Sequence, residues 1–452
     1  VRTLFKNIFF LYTFDETIGN LENAYILVED NIIKEIGTNW ENVIADKIID
    51  LDGYIVLPGF VNTHHHMYQT LTRGLAANSK LFDWLVYLYE IWKFIDEEAI
   101  YVSTIIASYE MIKTGVTTTT DHLYLYPYGK NNLIDAEIKA AREIGIRFYP
   151  TRGSMSLSKK DGGLPPDSVV QKDDEILSES ERVIQKYHDD SKYSMLRIAL
   201  APCSPFSVTK NLMVETLRLS EKYNILLHTH LAETYDEEIY CMEKFGKRPV
   251  DYMEELGWLN DRVWFAHLVY LNEKDIEKLS LNNVGMAHCP SSNMRLGSGI
   301  APVFKLKDKI KVGIAVDGSA SNDTNNMLLE LRNTLLLQRV KYGANSLTVE
   351  EVLKMGTLGG ASVLQIDDYV GTISKGKAAD FIGIKLDKVE FAGALHEPIN
   401  AILLCDAKNV ELSVINGKIK IYDGNFLNFE IYEFVEKHNK ISERLIKKSI
   451  KT

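Results

Sequence analysis

Cysteine is scarce and scattered in this chain, with four (Cys203, Cys241, Cys289 and Cys405) among 452 residues. None stands at the Cys-x-x-Cys spacing, which excludes a zinc ribbon and the Pro-Cys-x-x-Cys metal site of cytidine-type deaminases. So few thiols in so long a chain also argue against a disulfide framework. Long apolar runs are missing. No stretch reaches the ~18 residues that cross a bilayer, and the N-terminus lacks the charged-then-apolar pattern of a secretory leader. A cytoplasmic protein without a membrane partner is expected. Basic charge is in deficit as well, with 51 Lys and Arg against 62 Asp and Glu and a formal net charge of −11. Nucleic-acid binders generally carry a basic patch, so no nucleic-acid partner is expected. The one basic cluster, Lys447, Lys448 and Lys451, reads as the solvated face of a terminal helix. Internal repeats and low-complexity segments are absent.

What is present is the composition of an ordinary globular protein, 46% apolar and 25% charged, at a length suited to one large α/β domain with an appendage. Residues 1–57 read as short strands and turns, such as Ala24-Tyr25-Ile26-Leu27-Val28 before Glu29-Asp30-Asn31. The same texture returns over 365–428, ending near the turn Asn416-Gly417. Between these ends, apolar runs alternate with amphipathic helical stretches, the pattern of βα units on a parallel sheet. Strand candidates fall at 56–63, 116–121, 146–151, 195–201, 225–230, 262–267, 284–288 and 312–317. Eight βα units close most naturally into a barrel. The expected fold is therefore α/β, with a (β/α)8 TIM-type barrel over 58–364, a small β-sandwich built from 1–57 and 365–428, and a helical tail over 429–452.

In such barrels the chemistry collects where the strands end. The residues at those positions are His64 and His66, His122, Arg152, Cys203, His230, His267, His288 with Cys289, and Asp317. Side chains alternate along a strand, so His64 and His66 of Val61-Asn62-Thr63-His64-His65-His66 can point together at one metal ion while His65 faces away. The segment His228-Thr229-His230-Leu231-Ala232-Glu233 offers a further imidazole and a carboxylate that could act on a metal-bound water. His228 lies ~6 to 7 Å deeper than His230 and reads as a packed, hydrogen-bonded barrel residue rather than a ligand.

Taken in combination and in order, several motifs give the sequence its resemblance to the amidohydrolase superfamily, in the deaminase and chlorohydrolase branch. They are Leu57-Pro58-Gly59-Phe60-Val61-Asn62-Thr63-His64-His65-His66, Gly115-Val116-Thr117-Thr118, His228-Thr229-His230-Leu231-Ala232-Glu233-Thr234, Ala266-His267, His288-Cys289-Pro290 and Asp317-Gly318-Ser319-Ala320-Ser321-Asn322. The resemblance covers nearly the whole chain. It implies one divalent metal ion, most often zinc and sometimes iron (Zn2+ or Fe2+), held by His64, His66, His230 and Asp317. It also implies that His267 polarises the water or the substrate, that Asp317 accepts a proton from the attacking water, and that Glu233 protonates the ring nitrogen beside the attacked carbon. Binuclear relatives bridge their metals with a carboxylated lysine at the end of the fourth strand. Ala201-Pro202-Cys203 stand there instead, so a single ion is expected.

Within the branch, His64-His65-His66-Met67-Tyr68-Gln69, Ala201-Pro202-Cys203-Ser204-Pro205-Phe206 and His288-Cys289-Pro290-Ser291-Ser292-Asn293 look most like the 8-oxoguanine deaminases. Pterin deaminases, guanine deaminases and triazine hydrolases have overlapping motifs. The implied reaction of the purine-like substrate is 8-oxoguanine plus water to urate plus ammonia. Isoxanthopterin, guanine, another purine or pterin, or a hydroxyatrazine-type triazine are the alternatives. Gln69 can pair with a lactam edge through both donor and acceptor. Cys203 and Arg152 are expected on the far side of a bicyclic ring, and Trp92 is expected to stack on it. Chloride leaves without a proton whereas ammonia needs one, so the retained Asp317 favours deamination over dehalogenation. Association into a homo-oligomer is left open.

Overall fold

Eight parallel strands, met in chain order around one sheet, form the barrel in this computed structural model, which describes residues 1–405 and 408–451. They are β1 (Phe60–Asn62), β2 (Val116–Leu123), β3 (Arg147–Ser154), β4 (Ala199–Pro202), β5 (Leu227–Leu231), β6 (Val263–His267), β7 (Gly285–His288) and β8 (Lys311–Ile314). Nearly every residue in them is buried, as in the runs Val116-Thr117-Thr118-Thr119-Thr120 and Val263-Trp264-Phe265-Ala266. β-branched and aromatic side chains fit a pleated sheet that is covered on both faces, which is why the strands read as continuous apolar or threonine runs rather than alternations. At the seam, Thr63 N–H donates to Ile314 O (3.2 Å) and Asp317 N–H to His64 O (3.2 Å). Asn62 Oδ1 accepts from Val316 N–H at 2.9 Å across the same gap. The first and last strands therefore lie side by side, with His64, His66 and Asp317 just beyond their ends.

The segment expected as one strand over 56–63 is two. Tyr54–Pro58 belongs to a second sheet and Phe60–Asn62 to the barrel. The chain changes sheets at Gly59, where a Cβ would stand 2.1 Å from Thr117 Oγ1. Only glycine fits so close an approach. The second sheet is mixed and has nine strands, eight along one continuous hydrogen-bonded path and the ninth, Lys47–Asp50, paired off it to the first N-terminal strand. Tyr54–Pro58 pairs antiparallel with Phe381–Lys385 and so joins the N-terminal strands to the C-terminal ones. Phe5, Ile8, Ile26, Val56, Phe381 and Leu412 form its apolar cluster. A buried ion pair, Arg147 Nε to Asp380 Oδ2 at 2.8 Å, ties this sheet to β3.

The C-terminal helix, Tyr432–Lys451, buries His438, Ile441 and Leu445 on one stripe while Lys447, Lys448 and Lys451 face solvent. Its buried side touches the turn that follows the first histidines. His438 Nε2 lies 2.9 Å from Thr70 Oγ1, and Ser442 Oγ donates to Leu71 O at 2.6 Å. No helix among the described residues is long and apolar enough to cross a membrane.

Candidate active site

Each imidazole at the barrel mouth is oriented by its outer nitrogen. His66 Nδ1–H donates to His122 O at 2.8 Å and His230 Nδ1–H to Cys203 O at 2.6 Å. A neutral imidazole has one donor, so both Nε2 atoms carry lone pairs, and they stand 3.1 Å apart. His64 is set through a longer chain. Trp264 O takes the Nδ1–H of His228 at 2.8 Å, which makes His228 Nε2 an acceptor, and His64 Nδ1–H donates to it at 2.7 Å. His64 Nε2 is thereby left bare, buried and without a hydrogen-bond partner. It lies 3.3 Å from Asp317 Oδ1, and His66 Nε2 lies 3.5 Å from the same oxygen. Converging lone pairs beside a carboxylate repel one another unless a cation sits among them, so these residues fit a divalent ion and could hold one.

Burial, then the neighbouring imidazoles, keep His122 and His230 well below their ordinary pKa, and burial foremost does the same for His64 and His228. A lowered basicity favours the neutral imidazole, the form that ligates metal. Burial opposes ionisation of Asp317, yet the surrounding histidines, His64 first, hold its carboxyl well below the carboxylate range. Glu233 goes the other way. Burial, then the negative charges of Asp317 and Glu237, push it well above its ordinary value, which favours its protonated form. Its Oε2 lies 3.5 Å from His267 Nε2. His267 Nδ1 is tied to Asn293 Oδ1 at 2.9 Å, and its Nε2 is 3.8 Å from Asp317 Oδ2. Three non-glycine residues here adopt left-handed backbone conformations, Ala232 (φ 53°), His267 (φ 80°) and Asp317 (φ 60°). Strain of this kind is maintained only where surrounding contacts over-determine it.

His66, His230, Glu233, His267 and Asp317 line a narrow cavity of about 30 Å³. Gln69 and Cys203 also line it. Gln69 Oε1 faces Ala320 N–H at 3.4 Å, and a Cβ on Gly318 would overlap it at 1.9 Å. Burial pushes the Cys203 thiol up to about 12, so it is a neutral wall rather than a nucleophile. The other two expected contacts are corrected by the structure, because neither Trp92 nor Arg152 is among the lining residues. Trp92 is packed edge-on against Tyr68 and Trp84, with its indole N–H on Thr72 Oγ1 at 3.1 Å. Arg152 lies over the Tyr126 ring, 3.9 Å from its centroid, and donates to Gly153 O and Gln171 Oε1. The aromatic side chains at the cavity are Trp84, Tyr124 and Phe206. Tyr124 was within reach of sequence reasoning, being two residues past His122 on the same side of the chain. Trp84 was not, because one amphipathic helix carries both tryptophans.

His122, next to last in β2, lies among the same rings, 4.9 Å from His230 between centroids. Its Nε2–H donates to Ala201 O at 2.9 Å, while its Nδ1 is buried and unpartnered. His64, His66, His122 and His230 each offer a nitrogen within 4.8 Å of the others, and His64, His267 and Asp317 form a second such group.

Residues 55–420 match the amidohydrolase family. The chain is 44% identical to the 8-oxoguanine deaminase of Pseudomonas aeruginosa over 427 residues, 93% of this chain and 94% of that protein. It is 32% identical to the hydroxydechloroatrazine ethylaminohydrolase of Pseudomonas sp. (strain ADP), covering 98% and 96% of the two chains. Among solved structures, the atrazine chlorohydrolase of Arthrobacter aurescens complexed with zinc superposes with a TM-score of 0.91 at 29% identity, over 97% of this chain and all (100%) of that one.

Proposed function

The chain belongs to the amidohydrolase family, and from that premise we propose that it is a metal-dependent hydrolytic deaminase of a free aminated base, with 8-oxoguanine as the substrate. The observation that carries this reading is the meeting, at one barrel mouth, of three bare imidazole Nε2 atoms with the buried carboxyl groups of Asp317 and Glu233. His64, His66, His230 and Asp317 would hold one divalent ion, zinc by analogy with the zinc-complexed chlorohydrolase. When bound, that ion acts as a Lewis acid and makes water nucleophilic at neutral pH.

The protein's own groups then divide the proton traffic. Asp317 takes a proton from the attacking water. Glu233 gives its proton to the ring nitrogen beside the attacked carbon, so that negative charge does not build up on the ring. His267, with Nδ1–H committed to Asn293, presents Nε2 as an acceptor to both Glu233 and the water. A C2–O bond forms and the C2–N bond breaks once the amino group has been protonated. Ammonia leaves, and 8-oxoguanine becomes urate.

The substrate assignment rests on the likeness to the Pseudomonas aeruginosa enzyme. Trp84, Phe206 and Leu296 offer flat apolar walls to a planar ring. A triazine with a displaceable amine is the second reading, favoured by the ethylaminohydrolase relative. Chelator-stripped and metal-restored protein supplied with 8-oxoguanine tests the proposal. Restoration of turnover with one ammonia released per urate is expected, and an inert restored enzyme would overturn it.

A further inference from the structure

We propose that Glu237 is a positioning residue that aims Glu233. The inference rests on the assignment of Glu233 as the proton donor and extends it to a residue that need not touch substrate. Thr234 caps the helix Tyr235–Phe245, its side chain accepting from Glu237 N–H. Thr234-Tyr235-Asp236-Glu237 is thus a capping-box sequence, in which the third-position carboxylate ordinarily reaches back to the cap residue's own amide. Here the carboxylate extends further. Oε1 accepts from Ala232 N–H at 2.9 Å and Oε2 from Glu233 N–H at 2.8 Å.

Both oxygens of one carboxylate therefore hold two successive amides, and the first of these belongs to the left-handed Ala232 (φ 53°). A β-carbon makes that conformation costly unless something fixes it. From the other side, Ala232 O accepts from Val269 N–H and Tyr270 N–H, each at 2.9 Å, just past His267. The kink is gripped from both sides. Its effect is to turn the chain at the end of β5, so that Glu233 enters the cavity facing His267 instead of continuing the strand alternation that began at His228. Glu237 itself is fully buried and is not among the cavity-lining residues. A buried carboxyl in this place has no evident use except the two amides it holds.

The test is a double-mutant cycle on kcat with Glu233→Gln, Glu237→Gln and the double variant in the metal-loaded enzyme. A glutamine can accept only one of the two N–H groups, and misplacement of a reacting group by about 1 Å costs on the order of 10²-fold. Glu237→Gln should lower kcat by roughly 10- to 100-fold with KM nearly unchanged. In the Glu233→Gln background the same change should have almost no effect, because nothing remains to aim. An undiminished loss in that background, or wild-type kcat in Glu237→Gln alone, would overturn the proposal. Full activity in Glu233→Gln alone would instead remove the assignment of Glu233. Amide hydrogen exchange at Ala232 and Glu233 gives a readout independent of turnover, and should accelerate in Glu237→Gln but not in Glu233→Gln; unchanged exchange would count against the clamp. Should Glu237→Gln fail to fold, Glu237→Asp, one methylene shorter and still charged, enters the same cycle and is judged by the same outcomes.

Discussion

Replacing Asp380 with leucine would leave the Arg147 guanidinium inside the junction between barrel and mixed sheet without its carboxylate. The pair is bidentate, Nε to Oδ2 at 2.8 Å and Nη2 to Oδ1 at 3.3 Å, and the two side chains are 3% and 1% exposed. Arg147 would keep only neutral acceptors, Tyr193 O and Ser194 O through Nη1 and Asn416 Oδ1 through Nη2. Asn416 N–H, which donates to Asp380 Oδ1 at 2.5 Å, would lose its partner as well. Breaking a buried pair from one side typically costs about 3–5 kcal/mol. At about 1.4 kcal/mol per decade, that raises the unfolded fraction on the order of 10²- to 10⁴-fold. The paired change Arg147→Met with Asp380→Leu removes both charges, and most of the loss should return, because well-packed apolar substitutes for buried ion pairs are often neutral. Urea titration of the wild type and the two variants reads the difference. Asp380→Leu as stable as wild type, or a double variant less stable than Asp380→Leu alone, would refute the reasoning.

His438 has its pKa lowered to about 4, by burial first and then by the charge of Arg73. Its contribution to stability is full above the unfolded value of about 6.5 and is lost as pH falls toward 4, about 3 kcal/mol in all; acid titration of His438→Gln should show a flatter profile across that window, and an unchanged profile would contradict it. Gly59→Ala drives a Cβ to 2.1 Å from Thr117 Oγ1; overpacking of this kind costs typically 1–3 kcal/mol, about what thermal unfolding should report. Asp317→Asn should reduce turnover by more than about 10²-fold and also weaken metal retention. Elemental analysis should find one equivalent per wild-type chain and less in Asp317→Asn, whereas two equivalents in active wild-type protein would exclude a mononuclear site.

The barrel was legible because each strand is a short buried run closed by a chemically distinctive residue, and βα alternation leaves few other closures. The boundaries slipped where pairing is thin. Residues 195–201 were expected as a strand, but only Ala199–Pro202 is one, because Leu196 pairs only through an isolated bridge to Phe148. The sheet change at Gly59 left no trace in periodicity, since both halves are apolar. In the site, His64, His66, His230, His267, Glu233 and Asp317 were readable from strand ends and two-residue alternation, and they do converge. Trp92 and Arg152 were not placeable, because an amphipathic helix or a strand end does not reveal which of two aromatic or polar faces meets the cavity. The left-handed turn at Ala232 was hidden for a related reason, since alanine carries no mark of the conformation that Glu237 maintains.

The central claim, a deaminase of 8-oxoguanine, is tested most directly by comparing kcat/KM for 8-oxoguanine, guanine, isoxanthopterin, cytosine and a chlorotriazine in the metal-loaded enzyme. A site that hydrogen-bonds the C8 carbonyl and N7–H should reject guanine, which lacks both, by large factors, about 10⁴ in favourable cases, because buried polar groups would go unpaired. 8-Oxoguanine should therefore lead the series, with ammonia and urate as products. A higher kcat/KM for any of the other four would contradict the substrate assignment while leaving the proton-transfer roles of Asp317 and Glu233 standing.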